Sequence, residues 1–97
     1  MAQLFKTDGT VEDVRPSNGD SFSLREMQRF VGGLIDIIDL GEGEMVINDE
    51  GKLIGLPYNE RATRLARPFL FPNDPGVFGD VLVCTAYEAG YRGLEAA

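Results

Sequence analysis

Residues 48–59, Asn-Asp-Glu-Gly-Lys-Leu-Ile-Gly-Leu-Pro-Tyr-Asn, restrict the fold more than any other part of the chain. The tripeptide at 49–51 is typical of a three-residue hairpin loop with its glycine in the left-handed conformation, which glycine adopts at little cost. Pro57 suits the first turn of a helix, where a backbone N–H is not needed. The segment therefore predicts a return strand at 52–56 and a helix over 57–66.

Two further units are predicted in the first third of the chain. A β-hairpin is indicated over residues 2–15, because Asp8-Gly9 is a strong turn signal between two strand-like runs. Ser23 and Glu26 form a capping box that begins a helix, with the serine as N-cap and the glutamate three residues later. Gly32-Gly33 ends this helix, because glycine readily takes the left-handed cap conformation.

The remaining strands are short. Residues 34–40 are apolar on both faces, as is typical of an interior strand. Further strands are predicted at 45–48 and 81–87, with irregular structure at 69–78 and a frayed tail at 88–97. We therefore expect a single small α+β domain over residues 1–97, with a mostly antiparallel sheet of four to six short strands and two helices packed on one face.

Composition limits the function. The 97 residues are 43% apolar and suit one globular domain. Sixteen acidic residues against nine basic ones give a net charge of −7, which disfavours binding to nucleic acid phosphates. No signal peptide or membrane-spanning run is evident, so we expect a cytoplasmic protein without a membrane partner.

Several kinds of chemistry find no support in the residues. The chain contains no His, which excludes Ser-His-Asp and Cys-His catalysis and the common zinc sites. A calcium loop around Gly51 would need Glu at position 57, which is Pro. The Gly-containing turns lack the Lys and the spacing of a nucleotide loop. We therefore expect no cofactor, no metal and no enzymatic activity, and Cys84 is expected to be a buried thiol.

The most distinctive polar feature follows Pro57. Arg61, Arg64 and Arg67 form a stripe within two helical turns, and guanidinium groups pair well with phosphate or carboxylate. An exposed helix face, with the arginines paired to acids such as Glu60, explains the same stripe. The candidate ligand-binding residues are Asn48, Asn59, Arg61, Arg64 and Tyr58, with Tyr58 as a surface on which a base could stack.

Five motifs occur in a fixed order: Leu24 to Gly33, the strand at 34–40, residues 48–59, Ala62-Thr63, and residues 77–83 with their Gly79-Asp80 strand entry. In this order they resemble a family of short domains of unknown function from bacteriophages, plasmids and their bacterial hosts. The match spans roughly residues 22–84, and Asp49 is a conservative departure from the family pattern. The resemblance implies a phage or mobile-element origin and brings no established activity.

Two functions from different classes remain open. The first is a non-enzymatic accessory protein that binds a small anionic ligand, such as a nucleotide, or a host factor, and thereby counters host defence. The second is an interaction module that presents its acidic surface or a sheet edge to a host protein, or a virion or assembly accessory protein. A homo-oligomer is compatible with both, because small sheets often pair edges or faces.

Overall fold

The computed structural model describes residues 2–90. Two helices and five strands occur in this part of the chain. Neither helix has the length and hydrophobicity that a transmembrane span requires. The elements are β1 (Ala2–Phe5), β2 (Val11–Val14), α1 (Leu24–Val31), β3 (Ile35–Asp39), β4 (Glu44–Asn48), α2 (Glu60–Ala66) and β5 (Val81–Cys84), and a 3-10 turn, Arg67–Phe69, follows α2.

The strands form one sheet in the order β2-β1-β5-β4-β3, and every neighbouring pair is antiparallel. The last strand of residues 2–90, β5, therefore lies at the centre, between the N-terminal hairpin and the β3–β4 pair. Val46 of β4 is opposite Ile37 of β3 on one side and Leu82 of β5 on the other. The predicted α+β class with an antiparallel sheet is confirmed.

The two helices cover opposite faces of the sheet. Met27 of α1 belongs to one core cluster with Val46, whereas Ala62 of α2 belongs to a second cluster with Met45. Consecutive strand residues point to opposite faces, so these clusters lie on the two sides of β4. The prediction that both helices pack on one face is wrong. The central strands are apolar at consecutive positions, and burial of both faces requires a cover on each.

Strand β3 lies at an edge of the sheet, so its prediction as an interior strand is wrong. In the described part of the chain it pairs with β4 alone. Ile35 and Ile37 pack toward the α1 face, and Ile38 packs toward the opposite face. An apolar pattern on both faces indicates that both faces are covered. It does not report how many strands are hydrogen-bonded alongside.

The ends of α1 are as predicted. The Ser23 hydroxyl accepts a hydrogen bond from the Glu26 N–H at 3.1 Å, and the Glu26 carboxylate accepts one from the Ser23 N–H at 3.0 Å. This reciprocal pair satisfies two donors that a helix N-terminus leaves without partners. Gly32 takes the left-handed conformation with φ 82° and closes the helix.

Residues 49–55 form consecutive turns, so the predicted return strand at 52–56 is wrong. The Ile54 N–H donates to the Glu50 carbonyl, and the Leu56 N–H donates to the Gly51 carbonyl. Positive φ occurs at Gly55 (74°) and is absent at Gly51. A Cβ at Gly51 would lie 2.7 Å from the Phe78 carbonyl oxygen, so glycine is needed there for a close approach of two backbones.

The second helix begins at Glu60, later than the predicted start at Pro57. Asn59 is its N-cap, and the preceding residue Tyr58 forms an isolated bridge with Phe78. Pro57 therefore lies in the extended approach to the helix. The strand predicted at 81–87 ends at Cys84, and of the predicted tail at 88–97 only residues 88–90 lie within the described chain.

Candidate functional site

Asn59 is fully buried, and each polar atom of its side chain has a partner. Its Oδ1 accepts a hydrogen bond from the Ala62 N–H at 3.0 Å and thereby caps α2. Its Nδ2 donates to the carbonyls of Phe5 at 3.0 Å and Gly79 at 2.9 Å. One carboxamide thus joins the start of α2 to the end of β1 and to the entry of β5.

Asn48 is also buried, at the end of β4. Its Nδ2 donates to the Val31 carbonyl at 3.1 Å, and its Oδ1 accepts from the Glu50 N–H at 2.8 Å. A Cβ on Gly33 would lie 2.9 Å from that Nδ2, so the glycine leaves room for the carboxamide. Asn48 therefore joins the end of α1 to the turns that follow β4.

These contacts give the two asparagines, which bracket residues 48–59, a structural role. Asn48 contacts the end of α1 where Gly32-Gly33 closes the helix, and Asn59 contacts the Gly79-Asp80 strand entry. The Asp80 carboxylate accepts a hydrogen bond from the Thr7 N–H at 3.0 Å and ties the same corner to the N-terminal hairpin. The motifs that are separated in the sequence thus hold one another in place.

Four of the five predicted site residues line one surface depression of about 370 Å³. We call it the Arg-lined depression, and its walls come from the β1–β2 turn and from the start of α2. The lining side chains relevant to binding are Lys6, Asp8, Tyr58, Glu60, Arg61 and Arg64, with Asn59 beneath them. Asn48 does not line it. Lys6 was not predicted, because no local signal connects it to residues more than 50 positions away.

The charges in the Arg-lined depression are mixed. The Arg64 guanidinium lies 3.5 Å from the Glu60 carboxylate, as one turn of helix allows, and both side chains are more than 75% exposed. Lys6 pairs with Glu12, and this contact raises the pKa of Lys6. Among residues 2–90, Arg61 forms no ion pair, so its guanidinium is available in the exposed rim of the depression.

Arg67, the third arginine of the stripe, has a different role. Its guanidinium donates to the Asp74 carbonyl at 2.7 Å and supports the irregular segment after α2. It lines a separate shallow surface together with Tyr58, Thr63 and Arg64. The stripe in the sequence is therefore divided in space, and two of its three arginines face the Arg-lined depression.

A larger groove, of about 640 Å³, lies on the α2 face beside β3. We call it the β3 groove. Its floor comes from β3 and β4, and its far wall comes from the segment after α2, including Phe69 and Phe71. Asn48 contributes to its lining. No sequence pattern predicted this groove, because its far wall is the segment predicted only to be irregular.

Two buried titratable groups are adjacent on the α1 face, and neither lines a described cavity. Glu44 is 6% exposed, and in residues 2–90 its Oε2 has no hydrogen-bond partner. Burial, and secondly the negative charge of Asp39, raise the pKa of Glu44. Burial likewise raises the pKa of Cys84 to about 12, which keeps the thiol protonated and unreactive at neutral pH. The predicted burial of Cys84 is confirmed.

Over the described residues, no three His, Cys, Asp or Glu side chains are grouped so that they could share a metal ion.

Comparison with known proteins gives a family and no activity. No curated protein and no solved structure matches the sequence. A family model described as a domain of unknown function, DUF3846, matches residues 4–96, which is nearly the whole chain. The chain therefore belongs to the DUF3846 family of domains of unknown function.

Proposed function

We propose that the protein is a non-enzymatic binding protein that holds a small anionic ligand, such as a nucleotide, in the Arg-lined depression. One observation carries the proposal. The fold brings Lys6 from the β1–β2 turn to the same depression as Arg61 and Arg64 of α2. Convergence of three cations from two distant segments is unusual in a chain with a net charge of −7, and it is compatible with bidentate recognition of phosphate.

Tyr58 gives the proposed ligand an orientation. Its ring is 45% exposed, lines the depression and is held by an edge contact with Phe78 at 5.4 Å between centroids. A fixed, half-exposed aromatic ring can stack on a base while phosphates lie on the arginines. In this proposal Asn59 joins the two walls of the site, Asn48 lies away from it, and neither asparagine contacts the ligand.

The biological setting forms part of the proposal. The resemblance to phage and plasmid domains supports an accessory protein of a mobile element that works in the host cytoplasm. Sequestration of a nucleotide signal would counter host defence without a catalytic step. Formation of a homo-oligomer stays a prediction. Native mass spectrometry of the purified protein tests it, and the same measurement detects any retained ligand.

A melting-temperature panel with common and cyclic nucleotides tests the site. A ligand that binds only the folded state raises the free energy of unfolding, by about 2.7 kcal/mol when its concentration is one hundred times its Kd, and thereby raises the melting temperature. We expect Arg61→Ala and Arg64→Ala to lower the affinity of the active nucleotide about tenfold or more. Arg25→Ala, which removes an exposed arginine of α1, is the matched control and leaves binding unchanged.

Glu60→Gln separates a ligand site from an exposed ion pair. Removal of this carboxylate releases Arg64 from its partner, so we expect tighter binding in Glu60→Gln and weaker binding in Arg64→Ala. Absence of a shift with every nucleotide, or equal effects of Arg25→Ala and Arg64→Ala, contradicts the proposal.

A further inference from the structure

We infer that the β3 groove docks an extended segment of another protein, in which apolar residues alternate with Lys or Arg. The segment would add to the free edge of β3 as a further strand. The β3 groove and the Arg-lined depression share no lining residue, so the proposal for either surface can fail without the other.

The hydrogen-bond pattern shows which backbone groups of β3 face outward. The Asp49 N–H donates to the Leu34 carbonyl, and the Leu40 N–H donates to the Gly43 carbonyl. Bonded pairs alternate with unbonded pairs in an antiparallel ladder, so the even-numbered residues of β3 bond to β4. The N–H and C=O groups of Ile35, Ile37 and Asp39 therefore point away from the sheet, toward any added strand.

One of these outward donors is occupied by a side chain. The Ile37 N–H donates to the carboxylate of Asp36 at 2.8 Å. A carboxylate that covers an edge N–H discourages unselective pairing between sheets, as charged groups on edge strands commonly do. A cationic residue on an incoming strand can attract the Asp36 carboxylate and release this N–H for the new ladder.

The wall of the groove opposite β3 presents exposed aromatic surface. Phe71 is 79% exposed and Phe69 is 48% exposed, and both line the β3 groove. The Phe69 ring also lies beside Gly41, near the end of β3. Aromatic side chains that remain exposed next to an open strand edge favour an occupant with apolar side chains, because its binding removes both rings from water.

The charge of the groove indicates the polar part of the occupant. Four aspartates are among its lining residues, Asp36, Asp39, Asp49 and Asp74, against one cationic residue, Lys52. Lys52 lies 3.7 Å from Asp74. In the part of the chain that the structure describes, the other three carboxylates have no cation within salt-bridge distance. Positively charged side chains on the occupant complement this field.

The same charges disfavour a second copy of this chain. Antiparallel pairing of two β3 strands about a two-fold axis would bring both acidic rims together, within a pair of chains that each carry a net charge of −7. Like charges at an interface cost association free energy. A heterologous strand with basic residues avoids this repulsion and uses the same backbone groups and aromatic rings.

A displayed library of random twelve-residue peptides tests the inference on the full chain. We expect enriched peptides to alternate apolar residues with Lys or Arg, and to lose at least tenfold in affinity when 0.5 M salt is present, because screening weakens exposed charge pairs. In amide NMR spectra, the best peptide should shift and protect Ile35, Ile37 and Asp39. No enrichment, acidic consensus sequences, or shifts centred on α2 would overturn the inference.

Two matched variants keep the test independent of folding. Phe71→Ala removes a highly exposed ring that lines the groove, and Leu53→Ala removes an 85% exposed side chain that does not line it. We expect Phe71→Ala to weaken the best peptide about tenfold and Leu53→Ala to leave it unchanged, with equal melting temperatures for both variants. Equal binding by both variants, or a homodimer that forms through β3 in place of peptide binding, contradicts the inference.

Discussion

Asn59 and Glu44 are both polar residues buried against the sheet, yet their surroundings differ. Asn59 uses all of its side-chain polar atoms, in one bond to α2 and two to strand ends. Glu44 lies at the start of β4, and its Oε2 has no partner in residues 2–90. Burial of a polar group therefore stabilises a fold when its hydrogen bonds are made, and costs stability when they are not.

The difference also separates the parts of the molecule by role. The corner around Asn59 fixes the walls of the Arg-lined depression, because the same residue lies between Tyr58 and the arginines of α2. Glu44, at the start of β4, lines neither candidate binding surface, although its strand partner Asp39 lines the β3 groove. Substitutions at these two places should therefore change stability in opposite directions.

The largest expected effect comes from Asn59→Ala. The change removes a helix cap, worth about 1 kcal/mol, and leaves two backbone carbonyls without their buried donor. We expect a loss of about 3 kcal/mol in the free energy of unfolding, measured by urea denaturation. Asn59→Asp keeps the cap and cannot donate, so it should be no more stable than Asn59→Ala. A wild-type midpoint for Asn59→Asp would refute the assigned role of the carboxamide.

Asn48→Ala should have the next largest effect. It removes the bonds to the Val31 carbonyl and the Glu50 N–H, and it opens a space beside Gly33. We expect a loss of about 2 kcal/mol by the same measurement. Amide exchange at residues 50–56 should become faster as well, because Asn48 anchors those turns. A loss of stability without faster exchange there would mean that the bond to α1 alone matters.

Thr63→Val tests a second buried polar side chain whose hydrogen bond is made, through a weaker contact than those of Asn59. The Thr63 hydroxyl accepts a hydrogen bond from the Val77 N–H at 2.8 Å in a buried setting. Valine has nearly the same shape and cannot accept, so we expect a loss of about 1.5 kcal/mol. Thr63→Ser retains the hydroxyl and serves as the control. Equal stability of the Val variant and the wild type would show that this bond contributes nothing.

The smallest effect, and one of opposite sign, is expected for Glu44→Gln. The substitution removes a buried charge beside Asp39 and should stabilise the protein by about 1 kcal/mol at pH 7. The pKa of Glu44 is higher in the fold than its ordinary value of 4.5, so the folded state binds this proton more tightly than the unfolded state. The wild type therefore loses stability as pH rises from the ordinary pKa to the raised one.

The Glu44→Gln variant should lack this dependence of stability on pH. Its advantage over the wild type is absent well below pH 4.5, grows through the window up to the raised pKa of Glu44 and is constant above it. Thermal unfolding from pH 3 to pH 8 for both proteins measures the difference. An advantage that is independent of pH would show that the lost charge is not its cause.

Local chemistry in the sequence was sufficient for the elements that depend on neighbours in the chain. The capping box of Ser23 and Glu26, the glycine stop at Gly32, and the N-terminal hairpin are all confirmed. These features follow from backbone groups within a few residues of one another. The prediction of a return strand at 52–56 was wrong, because a Gly-containing turn signal does not distinguish a hairpin from a series of turns.

The candidate site shows the same division. Tyr58, Arg61 and Arg64 are close in the sequence and line one depression, so their proximity along the chain was enough to group them. The roles of Asn48 and Asn59 were not readable, because their partners are up to 54 residues away. The sequence pattern indicated that both asparagines belong to the family motif, but it did not indicate their structural role.

The amino-acid sequence was sufficient to predict the class of the fold, the ends of α1, the burial of Cys84 and a resemblance to a family of domains of unknown function. Three features became evident only in the folded molecule: the helices cover opposite faces, β3 is an edge strand, and Lys6 lines the same depression as the arginines. The physical reason is that periodicity records which faces are buried, while strand order and site assembly depend on contacts between distant segments. Asn59 is the clearest case, since one buried carboxamide connects three such segments.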